Sequence, residues 1–225
     1  GPNFRVLSDA SEAVSRALVD ELELLRQGLL TPLGLAEARG GVDVILFADR
    51  EGYARYAGKG SVAKTSWRTQ RPLMLLWARS ANEGPRRSLL AHELTHALSH
   101  AALGRQPRWV AEGLAEVLER LQISDDGTRA TLPPAHTSPR WTRTAGRELL
   151  PMSALWRWDA RIPPRTELPR YYAAAWGWTS FLRARHPAQL AAFHAALGTG
   201  ADARGAFTKA FAGQDPEALR REARA

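Results

Sequence analysis

A pair of histidines on one predicted helix is the strongest chemical signal in the sequence. His92 and His96 lie four residues apart in LLAHELTHALSH, and Glu93 directly follows the first of them. On an α-helix this spacing places two side chains on one face, about 6 Å apart along the axis, so both imidazoles can bind one tetrahedral ion. A neighbouring carboxylate can deprotonate water that Zn²⁺ has acidified. The pattern predicts a hydrolytic Zn²⁺ site with Glu93 as general base.

A catalytic zinc site needs a third protein ligand and one open position. A histidine ten residues after His92 would be one solution, but Ala102 stands there. His100 continues the four-residue spacing, but it lies too far along the helix to share the ion. We therefore expect His100 to be a packing or helix-face residue.

The best candidate for the third ligand lies in the next predicted helix, in the stretch RWVAEGLAE. Glu112 is an acidic residue in an apolar helix, and Glu116 follows one turn later on the same face. We expect Glu112 to bind the metal and Glu116 to accept the second ring N–H of a ligating histidine, which fixes its tautomer. The alternative is that these residues and Glu119 are solvated helix glutamates.

For His92, Glu93 and His96, the alternative to a metal site is that they line a solvent-exposed face of their helix. Against it, Leu89, Leu90, Leu94, Ala97 and Leu98 make that helix apolar on most sides. Burying two histidines and a glutamate in such a helix is costly unless each has a partner. The two motifs together favour a site.

Apolar periodicity predicts strands and helices first and helices alone afterwards, as in an α+β chain. Ser8 or Asp9 is the candidate N-cap of the first helix. The predicted strands span 4–7, 42–48, 61–68 and 72–78, and the predicted helices span 9–28, 50–58, 86–103, 107–121, 152–156, 171–186, 187–197, 201–212 and the residues after Pro216.

The order of the predicted strands and helices divides the chain into three segments. Residues 1–122 form an α+β lobe with the zinc-binding helices, and residues 171–225 form a helical lobe. Between them, residues 123–170 are rich in proline and are expected to be mostly irregular. Their tryptophans indicate that this segment packs over the core. We expect the three segments to make one catalytic domain.

Composition narrows the possible partners. The chain has 225 residues, 44% of them hydrophobic and 24% charged, which is typical of a globular protein. The net charge of +8 comes from scattered arginines, so specific nucleic-acid binding is not expected. No apolar run is long enough for a membrane helix. Because the chain has no cysteine, disulfides and thiolate ligands are excluded.

The origin of the chain is also indicated. Heavy use of alanine and arginine is typical of a GC-rich bacterial genome. Gly1-Pro2 is typical of a cleaved expression tag. The native N-terminus is therefore expected to have been removed, and this leaves an exported or periplasmic location open.

The motifs resemble those of a known enzyme group. HELTH followed by WVAEGLAE is similar to the gluzincin metallopeptidases, which have a thermolysin-like fold and a glutamate as third zinc ligand. The form Pro-x-Trp-Val-x-Glu-Gly-x-Ala-Glu, from Pro107 to Glu116, resembles the bacterial peptidase-MA-like branch in particular. YAAAWGWTSFL and the stretch Ala206–Gly213 resemble later helices of that family. The resemblance covers most of the chain and is weakest over 123–170.

The resemblance implies zinc-dependent hydrolysis of a peptide or protein substrate. It implies that a strand at the sheet edge runs antiparallel to bound peptide, and the candidate is Leu73–Ala78. It also implies that a residue of the C-terminal lobe stabilises the oxyanion. Tyr172 is the first candidate for this role, with Tyr171 and His136 as alternatives. Packing of both tyrosines in an aromatic core is the competing interpretation.

A second functional hypothesis is that the protein has the peptidase fold but does not hydrolyse peptides. The basic surface and the Trp-rich segment would also suit a peptidase-fold module that binds protein or peptide without turnover. The presence of all the core catalytic residues favours the enzyme.

Overall fold

The computed structural model describes residues 3–34, 40–58, 60–67, 71–80, 82–124, 129–134 and 149–223. Within these ranges the chain combines helices with sheets, which confirms the predicted α+β class. The chain divides into two compact units. The first unit contains Gly1–Ala101 and Leu118–Leu132, and the second contains Ala102–Val117 and Pro133–Ala225.

The first unit is built on a mixed four-stranded sheet of order β1-β2-β4-β3. Its strands are β1 (Phe4–Ser8), β2 (Val42–Phe47), β3 (Lys64–Ser66) and β4 (Leu73–Trp77). β2 pairs in parallel with both β1 and β4, whereas β3 is antiparallel to β4. β2 and β4 are nearly continuous apolar runs, and most of their residues are buried, as is typical of parallel strands.

The edge strand beside β4 is β3, so the prediction that Leu73–Ala78 lies at the edge is wrong. β4 lies between β2 and β3, with Met74 and Leu76 fully buried. A strand was predicted over residues 61–68, and β3, which is only three residues long, lies within that range. A hydrophobic run predicts a strand well, but here it identified an internal strand rather than an edge.

Two helices connect the parallel strands. α1 (Glu12–Leu30) follows β1, and α2 (Arg50–Ala57) follows β2. The buried face of α1 contains the predicted Val14, Leu18, Leu22 and Leu25. Ser11 caps α1 through a bond from the Val14 N–H, so neither Ser8 nor Asp9 is the N-cap. Their side chains instead accept bonds from the Ala10 and Ala48 N–H groups.

The helices that carry the two motifs follow the sheet. α3 (Arg87–Leu103) contains both histidines and the first glutamate, and α4 (Arg108–Leu118) contains Glu112 and Glu116. Both match the predicted positions. After α4, β5 (Gln122–Ile123) and β6 (Ala130–Thr131) form a small antiparallel pair.

The second unit is helical after residue 149. Its helices there are α5 (Met152–Trp156), α6 (Leu168–Arg185), α7 (Pro187–Gly198), α8 (Ala203–Ala210) and α9 (Pro216–Glu222). A cluster of rings fills its core, with Trp109 stacked on Phe193 and edge-on to Trp156 and Phe207. Trp156 was expected to pack over a core and does so; Trp141 lies outside the described residues.

In the part of the chain that the structure describes, no helix combines the length and apolar character that crossing a membrane requires.

Candidate metal centre

The side chains of His92 and His96 approach each other through their Nε2 atoms. Their Nε2 atoms lie 3.2 Å apart, and their ring planes cross at 81°. In tetrahedral zinc sites each Zn–N bond is about 2.0–2.1 Å, so two ligating nitrogens lie roughly 3.3 Å apart. The spacing of this pair on α3 therefore suits two ligands of one tetrahedral ion.

The other ring nitrogen of His92 is held by a carboxylate. Its Nδ1 lies 3.0 Å from Oε2 of Glu119, just beyond the end of α4. With Nδ1–H as donor, the neutral ring presents the lone pair of Nε2, which is the form a metal binds. Glu119 stands outside the four-residue spacing of Glu112 and Glu116, so the sequence predicts it only as a candidate solvated glutamate.

Glu93 is a buried carboxylate with a hydroxyl partner. Its residue is 7% exposed. Thr65 on β3 donates to Glu93 Oε2 at 2.6 Å. An isolated buried carboxylate is costly, whereas a charge-assisted hydrogen bond of this length offsets part of the cost. The role of Thr65 is not predicted from the sequence, because a threonine in a short polar strand carries no motif.

Tyr53 is a second buried polar group near this carboxylate. It is fully buried, and its hydroxyl lies 2.7 Å from Oγ of Ser61. Burial raises the pKa of Tyr53, the bond to Ser61 opposes that rise, and the charge of Glu93 adds to it. The Tyr53 hydroxyl therefore stays protonated at neutral pH.

Trp67, directly after β3, packs against two histidines of α3. Its ring is edge-on to His96 at 6.4 Å and tilted over His100 at 4.6 Å between centroids. His100 therefore has a packing contact, in agreement with the role expected for it. Trp67 itself is 37% exposed.

The second unit contains Glu112 and Glu116 on α4. Glu116 is only 2% exposed, which argues against the interpretation of both as solvated glutamates. Gly113, between them, allows close packing on α6: a Cβ at this position would lie 2.7 Å from the carbonyl oxygen of Ala175. At the start of α4, the Asp159 carboxylate accepts from the N–H of Arg108 at 3.1 Å.

The residues that the sequence predicts as ligands are divided between the two units. His92 and His96 belong to the first unit, and Glu112 belongs to the second. Imidazole nitrogens and a carboxylate oxygen are ligand types that Zn²⁺ accepts. The role of Glu112 as third ligand stays a prediction.

The candidates for oxyanion stabilisation have different positions. Tyr171 and Tyr172 both lie on α6, and each ring centroid is 5.3 Å from that of Trp158. These contacts agree with packing in an aromatic core, while the catalytic role of Tyr172 stays a prediction. His136 lies outside the described residues.

The chain was compared with known proteins in three ways. No family model matches it, and neither the curated proteins nor the solved structures yielded a match.

Proposed function

We propose that this protein is a zinc-dependent peptidase of the gluzincin type, with a thermolysin-like arrangement of its motifs. The observation that carries the proposal is the 3.2 Å separation of the His92 and His96 Nε2 atoms. Two further observations support the proposal. The carboxylate of Glu119 lies within hydrogen-bond distance of Nδ1 of His92, and Glu93, which directly follows His92 in the sequence, is buried. The resemblance of both motifs to the bacterial peptidase-MA-like branch adds the expected substrate class, a peptide or protein.

His92, His96 and Glu112 would hold the ion. When bound, Zn²⁺ lowers the pKa of a coordinated water to about 7 and polarises the substrate carbonyl. Glu93 would accept the proton of the attacking water and then deliver it to the leaving amine. Glu116 and Glu119 are the available carboxylates for orienting the ring of a zinc histidine.

The substrate would be held by the sheet of the first unit. Among the described residues β3 is the last strand of the sheet, with β4 as its neighbour, and the outer edge of such a strand offers backbone N–H and C=O groups that an extended peptide can pair with. Tyr172 is proposed to stabilise the oxyanion, as the resemblance implies.

Metal analysis and one isosteric substitution test the proposal. We expect about one zinc per chain and cleavage of peptides from a diverse library. Glu93→Gln should retain zinc and lose activity by about a hundredfold or more, because an amide cannot accept the proton. Glu12→Gln, on the exposed face of α1, is the matched control. Protein purified without zinc, or Glu93→Gln with intact cleavage, would contradict the mechanism; zinc with no turnover and a tightly bound peptide would favour the binding module.

A further inference from the structure

We propose that Thr65 is a positioning residue for Glu93: its hydroxyl holds one carboxylate oxygen, so that the other faces the attacking water. This inference rests on the proposed function, because it assigns a role within the same reaction. It adds a residue from the sheet to a site otherwise supplied by helices. It also assigns different tasks to the two oxygens of Glu93.

The hydrogen bonds of Thr65 define those tasks. Oγ1 of Thr65 lies 2.6 Å from Oε2 of Glu93 and 3.1 Å from the backbone oxygen of the same residue. A hydroxyl has one proton to donate, and the shorter, charge-assisted contact is the stronger of the two. The proton of Thr65 is therefore directed to Oε2, and Oε1 is left as the base.

The backbone that carries Thr65 is fixed at several points. Thr65 pairs with Met74 in the antiparallel ladder between β3 and β4. Just before β3, Ser61 donates to the carbonyl of Ala63, and Tyr53 lies within hydrogen-bond distance of the same serine hydroxyl. These bonds hold the start of β3 against a buried tyrosine.

A tryptophan adds another attachment. The indole N–H of Trp77 on β4 donates to the carbonyl of Val62 at 2.9 Å. Threonine also has a restricted χ1 because it is β-branched. The hydroxyl is therefore presented to Glu93 from a strand with little freedom to move, as a positioning role requires.

Removing this hydroxyl should affect the reaction more than substrate binding. A displacement of about 1 Å in a catalytic group can cost roughly a hundredfold in rate. In Thr65→Val the side chain keeps its shape and loses its donor, so Glu93 can turn away from the attacking water. We expect kcat to fall about 10-fold to 100-fold while KM and zinc content change less than about twofold.

Two further variants separate positioning from a structural effect. Thr65→Ser keeps the hydroxyl and should restore kcat to within about threefold of the wild type. Thr131→Val makes the same change on the exposed strand β6 and should leave turnover unchanged. Loss of kcat in Thr65→Ser equal to that in Thr65→Val would overturn the positioning role.

A measurement without turnover tests the contact itself. In metal-free protein, Thr65→Val should reduce the equilibrium constant for folding about tenfold or more with Glu93 present, because a hydrogen bond to a charged group is lost. In the Glu93→Leu background the same change should have an effect below about threefold, since the acceptor is gone. Equal effects in both backgrounds would overturn the contact.

The two proposals fail in different ways. A wild-type protein with no zinc-dependent cleavage overturns the proposed function and this role together. An active wild type with an unchanged kcat in Thr65→Val overturns only the role of Thr65.

Discussion

Glu119 accepts a hydrogen bond from Nδ1 of His92 at 3.0 Å, although the sequence motif had pointed to Glu116 as the carboxylate that orients a zinc histidine. The two glutamates are three residues apart, but Glu119 belongs to the same unit as His92, whereas Glu116 belongs to the other unit. The orientation of His92 thus depends on the residue just after α4, where the helical spacing no longer applies.

Neutralising Glu119 should weaken zinc binding. Glu119→Gln keeps the size of the side chain but removes the charge that favours the metal-binding form of His92. We expect a loss of zinc affinity of about 10-fold to 100-fold, measured by competition with a chelating dye. Glu51→Gln, at an exposed position on α2, is the control. Unchanged affinity in Glu119→Gln, with a loss in Glu116→Gln, would return the role to the residue that the motif predicts.

Removing zinc should lower the thermal stability. A ligand present at a hundred times its Kd stabilises the folded state by about 2.7 kcal/mol, which for a chain of this size corresponds to roughly 5–10 °C in Tm. Scanning calorimetry before and after chelation measures the shift, and added zinc should reverse it. The double variant His92→Ala/His96→Ala should show no shift; an equal shift in that variant would place the stabilising ion elsewhere.

His194 should make the folded state less stable in acid. Burial, assisted by the charge of Arg183, lowers the pKa of His194 to about 4 in the folded protein. The unfolded chain binds this proton near pH 6.5, so between these values the unfolded state holds more protons and stability falls with falling pH. The neutral ring of His194 contributes at most about 3 kcal/mol to the free energy of unfolding. This contribution is present in full above pH 6.5 and is lost as the pH falls toward 4.

Urea unfolding at pH 7 and at pH 4.5 measures this contribution. The free energy of unfolding should fall less in His194→Gln than in the wild type, because the variant has no imidazole at this position to protonate. The two proteins differ only at this position, so the difference between their pH profiles reports on His194. Identical pH profiles would show that this ring titrates normally.

Substitution of Gly113 should destabilise the packing of α4 on α6. Alanine is the better helix former by about 1 kcal/mol, but its Cβ would overlap the Thr179 hydroxyl and lie 2.7 Å from the Ala175 carbonyl oxygen. Overpacking costs about 1–3 kcal/mol, and backbone atoms cannot move aside cheaply. We expect Gly113→Ala to lower the free energy of unfolding by about 1–2 kcal/mol.

The matched control is Gly52→Ala on α2. There a Cβ would lie 3.5 Å from its nearest neighbours, which is ordinary contact. This variant should be neutral or more stable by up to about 1 kcal/mol. A more stable Gly113→Ala would mean that α4 and α6 are not in close contact at this position.

The sequence predicted well what periodicity and motif spacing determine. The apolar face of α1 and the His92–His96 spacing on α3 are both set by the helical repeat, which the chain shows directly. A strand was predicted at 61–68, where β3 lies, but the edge was assigned wrongly to Leu73–Ala78, because the order of strands in a sheet is set by contacts between distant segments and not by a local pattern. Thr65 and Glu119 were missed for a related reason: each acts through a contact with a residue 28 or 27 positions away, and no local pattern records it.

The first unit is discontinuous in sequence, and this has a consequence for how it folds during synthesis. Its second segment, Leu118–Leu132, includes β5, and Ile123 lies so close to Gly28 on α1 that a Cβ there would be 2.5 Å from Ile123 Cδ1. When the ribosome has made the chain only as far as residue 100, all four strands of the sheet are present, but the segment that packs on this part of α1 is not. Until residue 132 has emerged, the nascent chain exposes apolar surface on α1, and it is then most open to aggregation or to a chaperone.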